Sequence, residues 1–407
     1  MESIMAGPLR IAPPSPTPAP SRLRFASLLA ALALVSAPSW AEPTAKAGPG
    51  CGQPGQWWAA PPGAGPLEPG ATLAHMARQQ VVLLGEQHDS AEDHRWQLQV
   101  LAQLHGLHPE LAIGLEMFPR RLQPVLDEWV AGGLSETAFL TRSEWHTVWG
   151  FDARDYLPLF HYARMNRIPM LAMNVERSVV EALGQGGWEA VAEDRREGVS
   201  RPAPPLPEYR ALLAQIYDMH PGRTPAARDA AAFERFVLAQ GFWDRAMAER
   251  MAAYFKQRPD ALVVGILGAG HVRQGHGVAH QLRALGVVRV GALLTWPQAQ
   301  TCADIVPGLA DGLFVVAPPQ ANPPRLGVAM EDDPAGVRIA QVVPGSVAEQ
   351  AGLKVGDVVL QAAGAPVGGT SGLRGVVQRQ APGTWLPLKV RRDGQEQEIV
   401  ARFPAGA

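Results

Sequence analysis

The feature that most restricts the fold is a series of five apolar segments of strand length, separated by helix-like sequence. Segments with so few polar residues are typical of strands that are buried on both faces. Continuous apolar strands alternating with helices indicate a parallel sheet covered by helices on both sides. We therefore predict an α/β domain with a largely parallel sheet and flanking helices. The segments are VVLLG (81–85), IGLEM (113–117), IPMLAMN (168–174), ALVVGILG (261–268) and VRVGALLTW (288–296).

The interval between the third and fourth segments, residues 175–260, contains no strand candidate. Its last part, residues 226–257, has the length and composition of one long helix. We predict that this interval is a helical insertion into the α/β domain, which as a whole spans residues 71–317.

The amino terminus has the order of a secretory signal. Arg22 and Arg24 precede the apolar stretch FASLLAALALVSA, and small residues follow up to Ala41. This order predicts a signal peptide over residues 1–41 and an exported protein, with a membrane anchor as the alternative. The periplasm is the expected compartment, and secretion or membrane association are the alternatives. Residues 42–70, rich in Gly and Pro, are predicted to be a linker.

Composition narrows the class of protein. The chain has 407 residues, of which 47% are hydrophobic and 18% charged, as in a globular protein with a core. The formal net charge is −2, so there is no basic footprint for nucleic acid. Only two cysteines are present, Cys51 and Cys302, and export would allow a disulfide between them. A homodimer stays open.

Polar residues follow four of the predicted strands at the point where each strand ends. In an open parallel sheet, ligands bind outside the carboxyl ends of the strands, so these side chains should share one crevice. Two glycines before the last histidine allow the backbone to turn tightly there. The residues are Glu86 and His88, then Glu116, then Asn174, and finally His271 after Gly268 and Gly270.

A divalent metal site fits this set of side chains. His88, His271 and Glu116 are of the types that ligate a divalent metal with open positions left over. Glu86 or Glu116 would then act as general base toward a metal-bound water, as in a metal-dependent hydrolase. The alternative for each histidine is that it caps a helix or satisfies a loop carbonyl.

Other residues favour a larger cofactor. His276 follows closely after His271, Tyr217 precedes a loop before the long helix, and Met247 lies on a stripe of that helix. Apolar walls with a few His, Tyr or Met side chains suit haem, whose iron accepts such axial ligands. The alternative for the methionine stripe is ordinary core packing.

The carboxy-terminal region differs in composition, and residues 318–325 are a proline-rich linker. Residues 326–404 resemble a PDZ domain, through VVPGSVAEQAGLKVGDVVLQAAG and the later RRDGQEQ turn. The resemblance implies that a peptide carboxyl terminus binds between the first strand and a helix near 371–380. The alternative is a module used only for packing. No GNSGG-like serine motif occurs, which argues against a trypsin-like protease. The carboxylate-binding loop would be Arg325, Leu326, Gly327 and Val328.

Five blocks of the first domain together resemble the ChaN-like haem-binding proteins of the Tiki superfamily. The resemblance implies paired GxxH motifs, here Gly85–His88 and Gly268–His271, together with a strand-borne acid, Glu116. It also implies an exported protein that binds haem and takes part in iron acquisition. His276 stands where relatives carry a tyrosine, so we expect it to be an axial ligand. The blocks are VVLLGEQHDS, GLEMF, DYLPLFHYARMNRIPMLAMN, AQGFWDRAMAERM and LGAGHVRQGHGVAHQL.

Three functions follow from these patterns. The leading hypothesis is an exported haem-binding protein with a peptide-binding PDZ module. In that hypothesis His276 ligates the iron, and His88, Glu116 and His271 shape the pocket or bind the propionates. The second is a metal-dependent peptidase or esterase that recruits substrates through the PDZ domain. The third is a non-catalytic adaptor of envelope assemblies.

Overall fold

The computed structural model describes residues 51–61, 65–219, 229–317 and 324–405. They form an α/β domain up to residue 317 and a smaller, antiparallel domain from residue 324. The predicted signal peptide and most of the proline-rich linker lie outside these ranges. Within them, no helix combines the length and apolar character needed to cross a membrane.

The first domain is built on an eight-stranded sheet in the order β2-β1-β8-β7-β3-β6-β4-β5. The six strands from β8 to β5 are parallel, and β1 pairs antiparallel with both β8 and β2. This confirms the predicted α/β class. The sequence missed three short strands. The strands are β1 Trp57–Ala59, β2 Gly65–Leu67, β3 Val81–Glu86, β4 Leu111–Pro119, β5 Met170–Asn174, β6 Leu262–Gly268, β7 Val290–Pro297 and β8 Gly312–Val316.

Helices cover both faces of this sheet. Because successive strand residues point to opposite sides, each strand contributes to the apolar core on both faces. On β3, Val82 and Leu84 pack in one apolar cluster, and Val81 and Leu83 pack in the other. The predicted helical insertion is confirmed, since α7 to α9 follow β5 with no strand among the residues described there. The helices are α1 Pro69–Met76, α2 Ala91–Leu107, α3 Gln123–Ala131, α4 Glu136–Arg142, α5 Trp145–Val148, α6 Ala153–Asn166, α7 Arg177–Gly186, α8 Pro207–Asp218, α9 Ala230–Gln257, α10 Ala269–Val272 and α11 Val278–Ala284.

The segment predicted as a linker contributes to the sheet from residue 57 onward, which corrects that expectation. Trp57 is buried, and its ring lies 5.2 Å from Phe314 and 6.2 Å from Trp96. Burial of this large ring stabilises the short β1 strand, which lies between β8 and the edge strand β2. Cys51 and Cys302 form a disulfide that ties the segment to the residues after β7.

The second domain is an antiparallel sheet in the order β14-β13-β11-β10-β9, with β12 paired to β11. The longer of its two helices, α13, packs against β9, and Leu373 on α13 joins the apolar core with Val337 and Leu388. The loop Arg325–Val328 leads into β9. The elements are β9 Val328–Asp333, β10 Gly336–Val342, α12 Val347–Gln350, β11 Val358–Ala362, β12 Ala365–Pro366, α13 Gly369–Gln378, β13 Trp385–Arg392 and β14 Gln395–Arg402.

Candidate functional site

A cavity of about 570 Å³ opens at the carboxyl ends of β3, β6 and β4, which are neighbours in the sheet. The parallel register places Glu86 beside Gly268. His88, Glu116 and His271 line this cavity together, as predicted from the strand ends. All three side chains are buried. The cavity, called the crevice below, has the size of a small-molecule or cofactor site.

The first histidine of the crevice is fixed by a buried carboxylate. His88 Nδ1 lies 2.8 Å from Glu86 Oε1, which also accepts a hydrogen bond from the Tyr156 hydroxyl at 2.7 Å. Gln97 Nε2 donates to Glu86 Oε2 at 2.8 Å, and His94 Nδ1 lies 3.4 Å from the same oxygen. Glu86 therefore positions the His88 ring with Nδ1 occupied, which leaves Nε2 for the crevice.

This arrangement shifts the pKa of both partners. Burial raises the pKa of the Glu86 carboxyl, but His94, His88 and the Tyr156 hydroxyl outweigh burial and lower it to about 2. Burial lowers the pKa of His88, but the carboxylates of Glu86 and Glu116 outweigh it, and the net shift is upward. The pair is therefore an ionised carboxylate beside an imidazole that holds its proton more tightly than usual.

The second histidine is held in the same way by a residue of the helical insertion. His271 Nδ1 lies 2.7 Å from Asp244 Oδ1, and the Tyr209 hydroxyl donates to Asp244 Oδ2 at 2.9 Å. His271 Nε2 lies 3.6 Å from Glu116 Oε1. Burial lowers the pKa of His271, but the carboxylates of Glu116 and Asp244 outweigh it and raise the pKa to about 9.

Glu116 is fixed between the two histidines by the backbone of the next strand. Its Oε2 accepts a hydrogen bond from the Gly268 backbone N–H at 2.6 Å. A Cβ at Gly268 would lie 3.0 Å from His88 Nε2, so a larger residue would crowd the imidazole. Asn174 Nδ2 donates to the Glu116 carbonyl at 2.9 Å, which anchors the backbone at this position.

Aromatic and aliphatic side chains form the crevice walls. Trp149 and Phe151 lie against the His88 ring, with centroids 4.6 and 5.1 Å away, and Trp243 lies 5.1 Å from the His271 ring. Such walls, with a few polar groups between them, are typical of ligand-binding pockets. The other apolar side chains of the lining are Met117, Pro119, Val148, Val175 and Val180.

Charged residues surround the mouth of the crevice. Arg121 contacts Glu144 and Glu176, which also line the mouth. Arg177 pairs with Glu181. Two further lining residues, Ser371 and Arg374, come from α13 of the second domain.

Three predicted cofactor residues lie elsewhere. His276 is half-buried beside Tyr209, with ring centroids 6.2 Å apart, and is not part of the crevice lining. Tyr217 is packed with Phe233 and Phe236, in a cluster formed by α8 and α9. Met247 is fully buried in the core against the sheet. None of these three residues lines the crevice, and their cofactor roles stay predictions of the sequence.

The sequence patterns missed several residues of the site. Asp244 was visible as a polar residue on a mostly apolar stripe of α9, and a buried acid on such a stripe is a signal of a partner. Tyr156, Tyr209 and Trp243 gave no such signal. In the part of the chain that the structure describes, no three His, Cys, Asp or Glu side chains are already arranged as metal ligands. The metal assignment to His88, His271 and Glu116 also stays a prediction.

Family models match both domains. A model described as haem-binding uptake, Tiki superfamily, ChaN matches residues 72–282, and a PDZ-domain model matches residues 324–401. The solved structure titled cofacial heme binding to ChaN of Campylobacter jejuni has the same fold. It aligns with a TM-score of 0.51 and 16% identity, over 63% of this chain and 95% of that one.

Curated relatives match over a short stretch. A probable periplasmic serine endoprotease DegP-like from Hahella chejuensis is 39% identical over 75 residues, which are 18% of this chain and 16% of that protein. A protein of the same description from Chlamydia muridarum is 42% identical over 73 residues, or 17% of this chain and 15% of that protein. The chain thus spans about a sixth of the length of these relatives.

Proposed function

Because the chain belongs to the ChaN family of haem-binding uptake proteins in the Tiki superfamily, and carries a PDZ domain, we propose that it binds haem in the crevice. The observation that carries this proposal is the pair of buried imidazoles, each fixed at Nδ1 by a carboxylate and each facing the same cavity. We further propose that the protein is exported and handles haem during iron acquisition.

The residues present fit this cofactor. Apolar walls, two imidazoles and a volume of about 570 Å³ match what a largely apolar ring with a metal centre requires. His88 and His271 would hold the group, which supplies an iron that accepts imidazole nitrogen. Glu86 and Asp244 orient the two rings through Nδ1, and the aromatic walls exclude water. Glu116, whose Oε1 lies 3.6 Å from His271 Nε2, places a carboxylate beside this ring.

A Soret titration of the full chain with haem tests the proposal. Wild-type protein should show a saturable change at a fixed stoichiometry. His88→Ala and His271→Ala should each raise the Kd by about tenfold or more, since each removes a ring nitrogen held toward the cavity. His276→Ala is the matched control, because His276 lies outside the crevice lining, and its Kd should stay within about twofold of wild type.

Two outcomes would redirect the interpretation. If His276→Ala alone abolished the change, the axial ligand predicted from sequence would be right and the crevice assignment wrong. If no variant and no wild-type sample gave a saturable change, haem binding itself would be refuted. The adaptor hypothesis would then stand, unless a metal bound.

A metal-dependent hydrolase is the second candidate, and one feature favours it. Histidines that ligate metals commonly donate their other ring N–H to a carboxylate, as His88 and His271 are placed to do with Glu86 and Asp244. In this case Glu116, at 3.6 Å from His271 Nε2, would be the third ligand or the general base. Stoichiometric zinc or manganese in the purified protein, with unsaturable haem uptake, would favour this candidate over haem binding.

Export and peptide binding complete the proposal. The Cys51–Cys302 disulfide supports export, because disulfides persist in oxidising compartments. Periplasmic fractionation of the full-length chain tests it.

For the PDZ domain, the loop Arg325–Val328 and the adjacent α13 are the expected site of a peptide carboxylate. A peptide with a free carboxyl terminus should bind there, and its carboxyl-amidated form should not.

A further inference from the structure

The second domain docks on the first through one face of α13. Positions 371, 375 and 379 are spaced by four residues and therefore share one side of α13, and Gly368 is the N-cap residue just before the helix. A Cβ at Gly368 would overlap the His146 ring, and a Cβ at Gly375 would overlap the Asp152 carboxylate. The two domains therefore approach closely at two positions without a side chain, one at the N-cap of α13 and one within the helix.

An ion-paired arginine fixes the end of this face. Arg379 contacts the Asp152 carboxylate, and its Nη1 lies 2.9 Å from Asp155 Oδ1. The Asp152 side chain is 8% exposed, so this contact is screened from water more than a surface ion pair. Arg379 also connects the second domain to the first turn of α6, which begins just after Asp152.

This docking brings Ser371 and Arg374 to the mouth of the crevice. Three arginines line the crevice in all, and two of them already have carboxylate partners: Arg121 contacts Glu144 and Glu176, and Arg177 contacts Glu181. Arg374 makes no ion pair or hydrogen bond with any residue in the described ranges. It is therefore the cation of the crevice mouth that is available to a ligand.

We propose that Arg374 binds a carboxylate of the ligand in the crevice, so that the PDZ domain completes the binding site of the first domain. An arginine guanidinium binds a carboxylate through two parallel hydrogen bonds, and Ser371, one turn earlier on α13, supplies a hydroxyl beside it. This inference rests on the proposed function, in which the ligand is haem and the carboxylates are its two propionates. The inference adds Arg374, a residue of the second domain, which would favour haem with free propionates over an esterified form.

The test compares two ligands that differ only in those carboxylates. Haem and haem dimethyl ester share iron and ring, and the ester has no free carboxylate. Soret titrations of the full chain should show that Arg374→Gln raises the Kd of haem by about tenfold and leaves the Kd of the ester within about twofold. Arg374→Lys should retain part of the affinity for haem, because it keeps the charge and loses the fork.

The matched control is Arg391→Gln, which removes a half-buried arginine from β13, a strand that β11 and β10 separate from β9, against which α13 packs. It should leave both ligands unchanged. An equal effect of Arg374→Gln on haem and ester, or no effect on either, would overturn the inference while leaving haem binding intact. If the wild-type chain bound the ester but not haem, both the carboxylate contact and its ligand would be wrong; if it bound neither, the proposed function would fall first.

A second variant tests the docking separately. Arg379→Glu places a negative charge against Asp152 and Asp155, and should release α13 from the first domain. We expect it to reduce the preference for haem over the ester to the level of Arg374→Gln. If Arg379→Glu kept the full preference, the binding site would not depend on the docked PDZ domain and the inference would be wrong.

Discussion

The Glu86–His88 and Asp244–His271 pairs have the same geometry and different surroundings. Glu86 is surrounded by donors: two imidazoles, the Tyr156 hydroxyl and the Gln97 amide. His271 is surrounded by acceptors, because Asp244 and Glu116 both face it. The excess of donors lowers the pKa of the acid in the first pair, and the excess of carboxylates raises the pKa of the base in the second. The identity of the pair therefore matters less than the number of groups of each kind around it.

The largest effect should come from removing the acid of either pair. Glu86→Ala leaves four buried donors without their carboxylate, and Asp244→Ala leaves two, His271 and Tyr209. Breaking one side of a buried ionic network costs about 3–5 kcal/mol, so both variants should be destabilised strongly, Glu86→Ala the more. Urea unfolding followed by tryptophan fluorescence measures this loss. Trp385 is the one tryptophan of the second domain, so the fluorescence signal reports mainly on the first domain.

The control for these variants is Glu92→Ala, an exposed acid whose partner is Arg95 on the same helix. Its effect should stay within about 0.5 kcal/mol. Equal losses for Glu86→Ala and Asp244→Ala would contradict the comparison, because the number of donors that lose their carboxylate would then not matter.

The two pairs should also stabilise the fold in opposite pH ranges. The pKa of His271 is raised from 6.5 to about 9, so its contribution is complete below pH 6.5 and is lost as pH rises through 9. The pKa of Glu86 is lowered from 4.5 to about 2, so its contribution is complete above pH 4.5 and is lost as pH falls through 2. Each shift corresponds to roughly 3 kcal/mol of unfolding free energy.

Two isosteric variants isolate these contributions in haem-free protein. The difference in unfolding free energy between wild type and His271→Gln should shrink between pH 6.5 and 9, and that between wild type and Glu86→Gln should shrink between pH 4.5 and 2. Parallel curves for wild type and His271→Gln across the alkaline range would show that the carboxylates do not hold the proton on this imidazole.

The sequence predicted the site residues at the strand ends better than those on the helical insertion or the second domain. His88, His271 and Glu116 each follow a buried strand, and the geometry of parallel sheets alone brings strand ends together. Asp244 and Tyr209 lie on α9 and α8, and their approach depends on how the helical insertion folds back over the sheet, which periodicity does not record. Arg374 reaches the crevice only because a separate domain docks there.

His276 shows that residues close in sequence need not share one site. It lies five residues after His271, yet the chain turns between them, with positive φ at Gln274 (57°) and Gly275 (64°). The turn directs His276 toward Tyr209 and away from the crevice lining. A motif of clustered histidines carries no information about such a turn, since left-handed backbone at a glutamine is uncommon.

The smallest effect should come from the tyrosine hydroxyls, and it compares the two pairs most finely. Tyr156→Phe removes one of several donors to Glu86, whereas Tyr209→Phe removes one of the two donors to Asp244. A hydrogen bond to a charged group contributes about 1.5–3 kcal/mol, but the remaining donors around Glu86 offset part of the loss. We therefore expect Tyr209→Phe to destabilise the protein more than Tyr156→Phe, by about 1 kcal/mol in urea unfolding. Tyr162→Phe, at a tyrosine paired with His105 away from the crevice, is the control for loss of a hydroxyl. The reverse order would mean that Glu86 depends on Tyr156 more than on its imidazoles, and the donor excess inferred for the first pair would not exist.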